Sequence, residues 1–288
     1  MNKPPIYDIS NFNYNSVNSE LYVNSFKNHL KAHSFIEKPH RHNFYLLVLF
    51  TAGTGTHEID FDSYNIKRGS LFVVQPGQIH NWKLSNDIDG FIVFYSQETY
   101  NLYFGNKKIE DYSIYQSVKS QPELFFEEEE LQEIEVYFKL MKIESESRKA
   151  KQKDKILNLL DIINIEVSRK YLLKNNHKTP IYNHKINQFE KLIETFFRTE
   201  KSPSFYASKM SITLKHLNRI CKSILNKTAT QLITERVILE AKRLLIDQNK
   251  SISQIADELN FENYSYFAKL FKKENGISPS DFRRNLSS

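Results

Sequence analysis

The sequence predicts an α+β chain of several domains. An antiparallel β-barrel or sandwich followed by helices comes first, and an all-α double helix-turn-helix makes up the carboxy-terminal third. Three observations predict this. Residues 251–286 read as two short helices joined by a tight turn. The same pattern recurs about fifty residues upstream. Between Phe44 and Tyr95, short β-branched and aromatic runs are separated by turn residues at regular spacing.

The helical repeat sets the frame. Ile252, Ile255, Ala256 and Leu259 stand at helical spacing. Asn260 follows, a residue type that tolerates the left-handed conformation of a sharp turn. Asn263 can cap a second helix, whose inner face reads Phe267, Leu270 and Phe271. Gly276 ends it and Pro279 comes soon after. With Lys269, Lys272 and Lys273 on the second helix, the pair fits a helix-turn-helix DNA reader. A small helical hairpin with a solvated basic face is the alternative.

Repetition favours the reader. Ala207, Met210, Ser211 and Ile212 stand where Ala256, Leu259, Asn260 and Phe261 stand. Leu217, Arg219, Ile220 and Lys222 match Phe267, Lys269, Leu270 and Lys272, and Asn226 matches Gly276. Apolar residues from Leu232 to Leu245 predict one helix over 229–246, about 27 Å long at ~1.5 Å per residue. Such a rod, flanked by two units, suits successive major grooves ~34 Å apart.

Residues 185–286 resemble the AraC/XylS family of bacterial transcription regulators. The resemblance rests on the doubled motif, the run HLNRICKSILNKTATQLITERVILEAKRLL and the closing NFENYSYFAKLFKKENGISPSDFRR. Two departures stand out: Ser211 where relatives usually carry a turn Gly, and Ala229 where they often carry Pro. The helical period leaves Lys215, Asn218 and Arg219 exposed on the first reading helix, and the family's base-contacting positions fall on the same residues. The second helix offers Tyr264, Ser265, Ala268 and Lys269. Arg219 can be bidentate to guanine, Asn218 to adenine, and Ala268 can meet a thymine methyl. His216, Lys222, Lys272 and Lys273 are expected at phosphates. The resemblance implies a regulator, more often an activator, that acts with RNA polymerase.

Charge agrees with a polyanion partner. From residue 181 onward there are 18 Lys/Arg against 11 Asp/Glu, a net +7, while the remainder has 22 against 23, a net −1. The single cysteine, Cys221, leaves no intramolecular disulfide and fits a reducing cytoplasm. It falls on the inner face of the first reading helix and is expected to pack. No signal peptide or long apolar run is visible, so neither secretion nor a membrane location is expected.

Residues 1–38 are polar, with one or two strands expected. Phe44–Thr51 reads as a strand buried on both sides. Further strands follow over 56–61, 71–74, 79–84 and 90–95, with Pro76-Gly77 a strong turn. This segment resembles the cupin-type effector domain that precedes the DNA-binding domain in many AraC-family regulators. The likeness is carried by His40-Arg41-His42, the hairpin around Gly53 and Gly55, Arg68-Gly69-Ser70-Leu71 and Pro76-Gly77-Gln78-Ile79-His80.

Metal-binding cupins use an HxH pair, a Glu and a later His. Here His40, His42 and His80 match, but the Glu position falls on Leu46 or Leu47. The histidines could hold a metal, hydrogen-bond at a barrel rim, or contact a polar effector. Trp82 shares the face of His80, and an aromatic platform beside imidazoles suits a sugar, although an ordinary core Trp fits too. The expectation is a small-molecule site at His40, His42, His80 and Trp82, with no metal, no cofactor and no enzymatic activity.

The expected layout is an effector domain over 1–122, a helical dimerisation segment over 123–173, a linker over 174–184 and a DNA-binding domain over 185–288. Two helices are read in the middle segment. The stripe Ile156, Leu159/Leu160, Ile163, Val167 and Tyr171 is the longer, and so the expected homodimer seam.

Overall fold

The computed structural model describes residues 4–12, 20–33, 38–115, 121–175 and 180–286. The chain separates into two compact units, one holding Pro5–Asn175 and the other the chain from Asn176 onward.

In the first unit the elements are β1 (Ile6–Tyr7), β2 (Leu21–Ser25), α1 (Phe26–Ala32), β3 (Arg41–His42), β4 (Tyr45–Ala52), β5 (Gly55–Ile59), β6 (Asp62–Ile66), β7 (Ser70–Val74), β8 (His80–Leu84), β9 (Asp89–Tyr95), α2 (Gln97–Phe104), β10 (Glu123–Phe125), α3 (Glu128–Glu146) and α4 (Gln152–Asn175). A five-stranded sheet runs β10-β7-β4-β9-β2 and a three-stranded sheet β6-β5-β8, both antiparallel throughout. β1 and β3 form a small parallel pair.

β4 is central, and both its faces are buried, as the unbroken apolar run predicts. Leu46 lies between Val74 and Phe94, and Leu47 between Val73 and Val93. Because side chains alternate, Phe44, Leu46, Val48 and Phe50 pack inward with Trp82, Ile59 and Phe26. Tyr45, Leu47 and Leu49 pack outward with α3 and α4 through Leu131, Phe138, Leu160 and Ile163. Inner and outer cores therefore share one sheet as their partition.

Several expectations need correcting. Phe26–Ala32 is a helix, started by Ser25, whose side chain accepts the Asn28 N–H. A strand not expected from the sequence, β6, begins at Asp62, and the reversal before it sits at Asp60 with φ 55°. Glu123–Phe125 pairs with β7, and α3 and α4 share the outer core, so 123–173 is continuous with the β layer. The start of α3 is tied down by Arg68, which donates to both oxygens of Glu128 at 3.0 and 2.8 Å. Gly69 next to it has φ 89°, and a Cβ there would lie 2.2 Å from the Phe126 carbonyl oxygen. The stripe Ile156–Tyr171 on α4 is buried inside its own unit. The apolar stripe that α3 leaves exposed is Val136, Leu140 and Ile143, at 49%, 41% and 64% exposure. The predicted linker 174–184 is helical at both ends, Asn175 closing α4 and Pro180 opening the next helix; residues 176–179 lie outside the described residues.

The second unit is all-helical: α5 (Pro180–Phe196), α6 (Pro203–Lys209), α7 (Leu214–Leu225), α8 (Ala229–Leu245), α9 (Ile252–Glu258), α10 (Tyr264–Asn275) and α11 (Pro279–Asn285). The two halves repeat bond for bond. Ile212 N–H donates to Ala207 C=O at 3.0 Å, and Phe261 N–H to Ala256 C=O at 2.9 Å. The turn residues Ser211 and Asn260 have φ 52° and 53°. Thr213 caps α7 and Asn263 caps α10. Asn226 and Gly276 close them in the left-handed conformation. The 17-residue α8, about 25 Å long, runs between the halves and contributes Leu232, Ile233, Val237, Ala241 and Leu245 to their common core.

Candidate nucleic-acid interface and effector site

The reading helices present the expected faces. Leu217, Ile220 and Cys221 of α7 are buried, as are Phe267 and Phe271 of α10, while Leu270 is half-buried. Cys221 packs as expected, and burial pushes its thiol up to about 12. Lys215, Arg219 and Lys222 are exposed, and with half-buried His216 and Asn218 they share one solvent-open concave surface. On α10, Tyr264, Ser265, Lys269, Lys272 and Lys273 are exposed and Ala268 half-buried.

Asn218 has a partner inside its own unit. Its Oδ1 accepts the Ala229 N–H at 3.0 Å. Ala229 opens α8 where a proline would have no N–H to satisfy, and it is fully buried. Asn218 therefore supplies the acceptor that this sequence needs, and its Oδ1 is engaged within the fold. Asn218→Ala should cost about 1–2 kcal/mol of stability in urea unfolding while leaving the base preference of the protein unchanged. Sequence reading also missed Tyr266, an exposed aromatic in the first turns of α10.

The other candidate site is the inner core of the first unit. His40 and His80 are brought together by a backbone bridge, each N–H donating to the other's carbonyl at 3.1 and 3.0 Å. Their rings lie 4.3 Å apart, His42 is 5.0 Å from His80, and Trp82 is 4.8 Å from His80. The structure thus gathers all four predicted residues. It adds His57, which faces Trp82 across the β5–β8 pair and lies within hydrogen-bond reach of His80, Nε2 to Nδ1, at 3.1 Å. His29 and His33 join through Phe12 and Phe94, with Tyr22 Oη 2.9 Å from His29 Nδ1.

All six imidazoles are at most 3% exposed, so they are interior groups and not rim groups. Burial first, then neighbouring imidazoles, hold His42 down to about 3 and push His29, His57 and His80 well below the usual histidine range. The nitrogens His29 Nε2, His42 Nε2, His57 Nδ1, His80 Nε2 and Trp82 Nε1 are buried without a hydrogen-bond partner. Among the described residues, no group of three or more His, Cys, Asp or Glu is arranged to hold a metal ion. Leu46, at the expected Glu position, is in the inner core and Leu47 in the outer.

Comparison with known proteins agrees with both halves. Residues 24–157 match the family described as AraC-like ligand binding domain, and residues 206–285 match a helix-turn-helix domain family. The HTH-type transcriptional activator RhaR of Mannheimia succiniciproducens is 21% identical over 248 residues, 85% of this chain and 86% of the relative. An HTH-type transcriptional regulator from the cgkA 5' region of Pseudoalteromonas carrageenovora is 35% identical over 82 residues, 28% of this chain and 48% of the relative. Unsaturated fatty acid-bound ToxT from Vibrio cholerae aligns over 92% of this chain and 95% of its own, at 15% identity and a TM-score of 0.42, too low to carry an argument. With a duplicated helix-turn-helix unit, an amino-terminal β unit matching the AraC-like ligand-binding family and a transcriptional activator aligned over 85% of this chain, the protein belongs to the AraC/XylS family of transcriptional regulators.

Proposed function

We propose that this regulator is a cytoplasmic, homodimeric activator that works with RNA polymerase and is governed by a small molecule admitted to the histidine-lined inner core. It acts by binding and not by turnover. The observation that carries the DNA half is the bond-for-bond repeat of two capped reading helices, each with exposed basic side chains, on one rigid rod. On a duplex bearing the operator, Arg219→Ala should cost ~1–3 kcal/mol and relax one base position, whereas Lys272→Ala should weaken all sequences alike and lower the salt slope by about 1. Titrating duplexes with single-base changes at several salt concentrations separates the two. Equal losses on every sequence for Arg219→Ala would make it a phosphate contact.

The effector acts through differential affinity for two arrangements of the protein. Trp82, the only tryptophan, sits among the histidines, so its emission reports on entry of a candidate sugar or other polar ring. No change with any ligand that alters DNA binding would place the site elsewhere. The second reading, an amino-terminal unit that only pairs protomers or binds a protein partner, is favoured by the burial of all six imidazoles and Trp82.

Both readings use α3 as the seam. Val136, Leu140 and Ile143 recur at i, i+4 and i+7 on an exposed face, whereas the α4 stripe is buried inside the unit. Leu140→Glu with Ile143→Glu should turn a dimer into a monomer in sedimentation, with far-UV circular dichroism unchanged. A persistent dimer would rule out this face.

A further inference from the structure

We propose that His216 is a positioning residue for base recognition: it fixes the Arg219 guanidinium for guanine and makes the first half of the DNA site stricter than the second. This rests on the reading of Arg219 as a base-contacting side chain.

Arg219 Nη2 donates to His216 Nδ1 at 2.7 Å. The two residues are three apart, hence on one helix face. The backbone that carries the acceptor ring is fixed at the helix start, where the His216 main-chain N–H donates to the Thr213 Oγ1 cap at 3.1 Å. The contact requires the lone pair on Nδ1 and the ring proton on Nε2. One guanidinium N–H is thereby used, and the rest of the fork remains for the O6 and N7 of guanine. An arginine already held surrenders little rotamer freedom on docking, and a wrong base meets a fork that cannot turn away.

The second copy lacks this device. Tyr266 stands where His216 stands, and its ring lies 6.0 Å from that of Phe261. Lys269 replaces Arg219, and an ammonium is a point charge without a fork. The repeat that makes the two helices alike in backbone therefore makes their difference in side chains informative.

The test uses the full chain and a pool of randomised duplexes, with bound sequences recovered and counted for wild type, R219A, H216A and H216Q. Arg219→Ala should erase the preference for guanine at one position. His216→Ala should lower that same preference about three- to tenfold and leave the other positions intact. His216→Gln, whose side-chain carbonyl also accepts, should restore it. Full guanine preference in H216A overturns the proposal and leaves Arg219 as the reader. An unchanged motif in R219A overturns the reading of Arg219 itself. A uniform weakening in H216A, or a loss that Gln does not repair, would make His216 a direct DNA contact and not a positioning group.

Discussion

Lowering the pH from 7 to 5.5 should destabilise the amino-terminal unit by about 5 kcal/mol. The cause is His29, His42, His57 and His80, each held neutral chiefly by burial and secondarily by neighbouring imidazoles. The charges acting on the four are those of other imidazoles, not of carboxylates, and the Phe44 carbonyl beside His42 Nδ1, which favours the protonated ring, does not offset burial. In the unfolded chain the same rings titrate near ~6.5. Below that pH the unfolded state binds more protons than the folded state, so stability falls as pH falls, by about 1.4 kcal/mol per pH unit for each group. Above about 6.5 the penalty vanishes.

Four groups over this interval give a loss that approaches the ~5–15 kcal/mol by which a domain is stable at all. Urea unfolding followed by Trp82 emission isolates the unit that carries them. His57→Phe should flatten the slope by about one proton. A midpoint that stays put between pH 7 and 5.5 would mean the rings are not neutral in the fold.

Glu240→Ala should cost the carboxy-terminal unit about 3–5 kcal/mol. Glu240 on α8 is 6% exposed at its side chain, and it accepts from Arg236 at 3.1 Å and from Arg198 at 2.5 Å. Arg243, 5% exposed, lies 3.6 Å away. Arg236, 10% exposed, also donates from Nε to both Glu194 oxygens at 2.9 Å, and Arg198 reaches Glu258 at 3.2 Å. The network ties α5, α8 and α9 together. Removing Glu240 leaves buried guanidinium groups facing one another without their shared acceptor, the situation in which a buried ion pair matters most.

The sign with pH is opposite to that of the histidines in mechanism, though not in direction. Burial raises the Glu240 carboxyl, but the charges of Arg236, Arg243 and Arg198 more than reverse this, and the net shift is downward. Its contribution is therefore present above ~4.3 and lost as pH falls through the lower folded value. Far-UV circular dichroism in urea, at pH 7, measures the helical transition. A loss under about 1 kcal/mol would show that the arginines find other partners.

The carboxy-terminal unit was legible because its signals are local. Apolar spacing, a left-handed turn residue and a cap all fall within a dozen residues, twice over, and each has one physical reading. The central strand was legible for a similar reason, since the seven apolar and aromatic residues Phe44–Phe50 with no polar alternation fit only a position between two cores. What escaped needed distant neighbours. His57 sits alone in an alternating strand and looks like a surface residue until its pairing with Trp82 is known. The stripes of α3 and α4 have the same period, and only the sheet decides which one it covers. Asn218 reads as a base contact by helical phase, and its partner is the backbone of Ala229. The departure from proline at that position was the clue that an N–H would need an acceptor.

β4 puts Leu46 and Val48 on the inner side and Leu47 and Leu49 on the outer, with one peptide between each pair. Protein interiors are packed too densely to absorb a guest in empty space. Anything that wedges among the buried histidines must therefore bow this wall of a single sheet, and α3 and α4 ride on its far side. The strand is in effect a diaphragm: pressure applied to one surface is delivered as displacement on the other, with no hinge required.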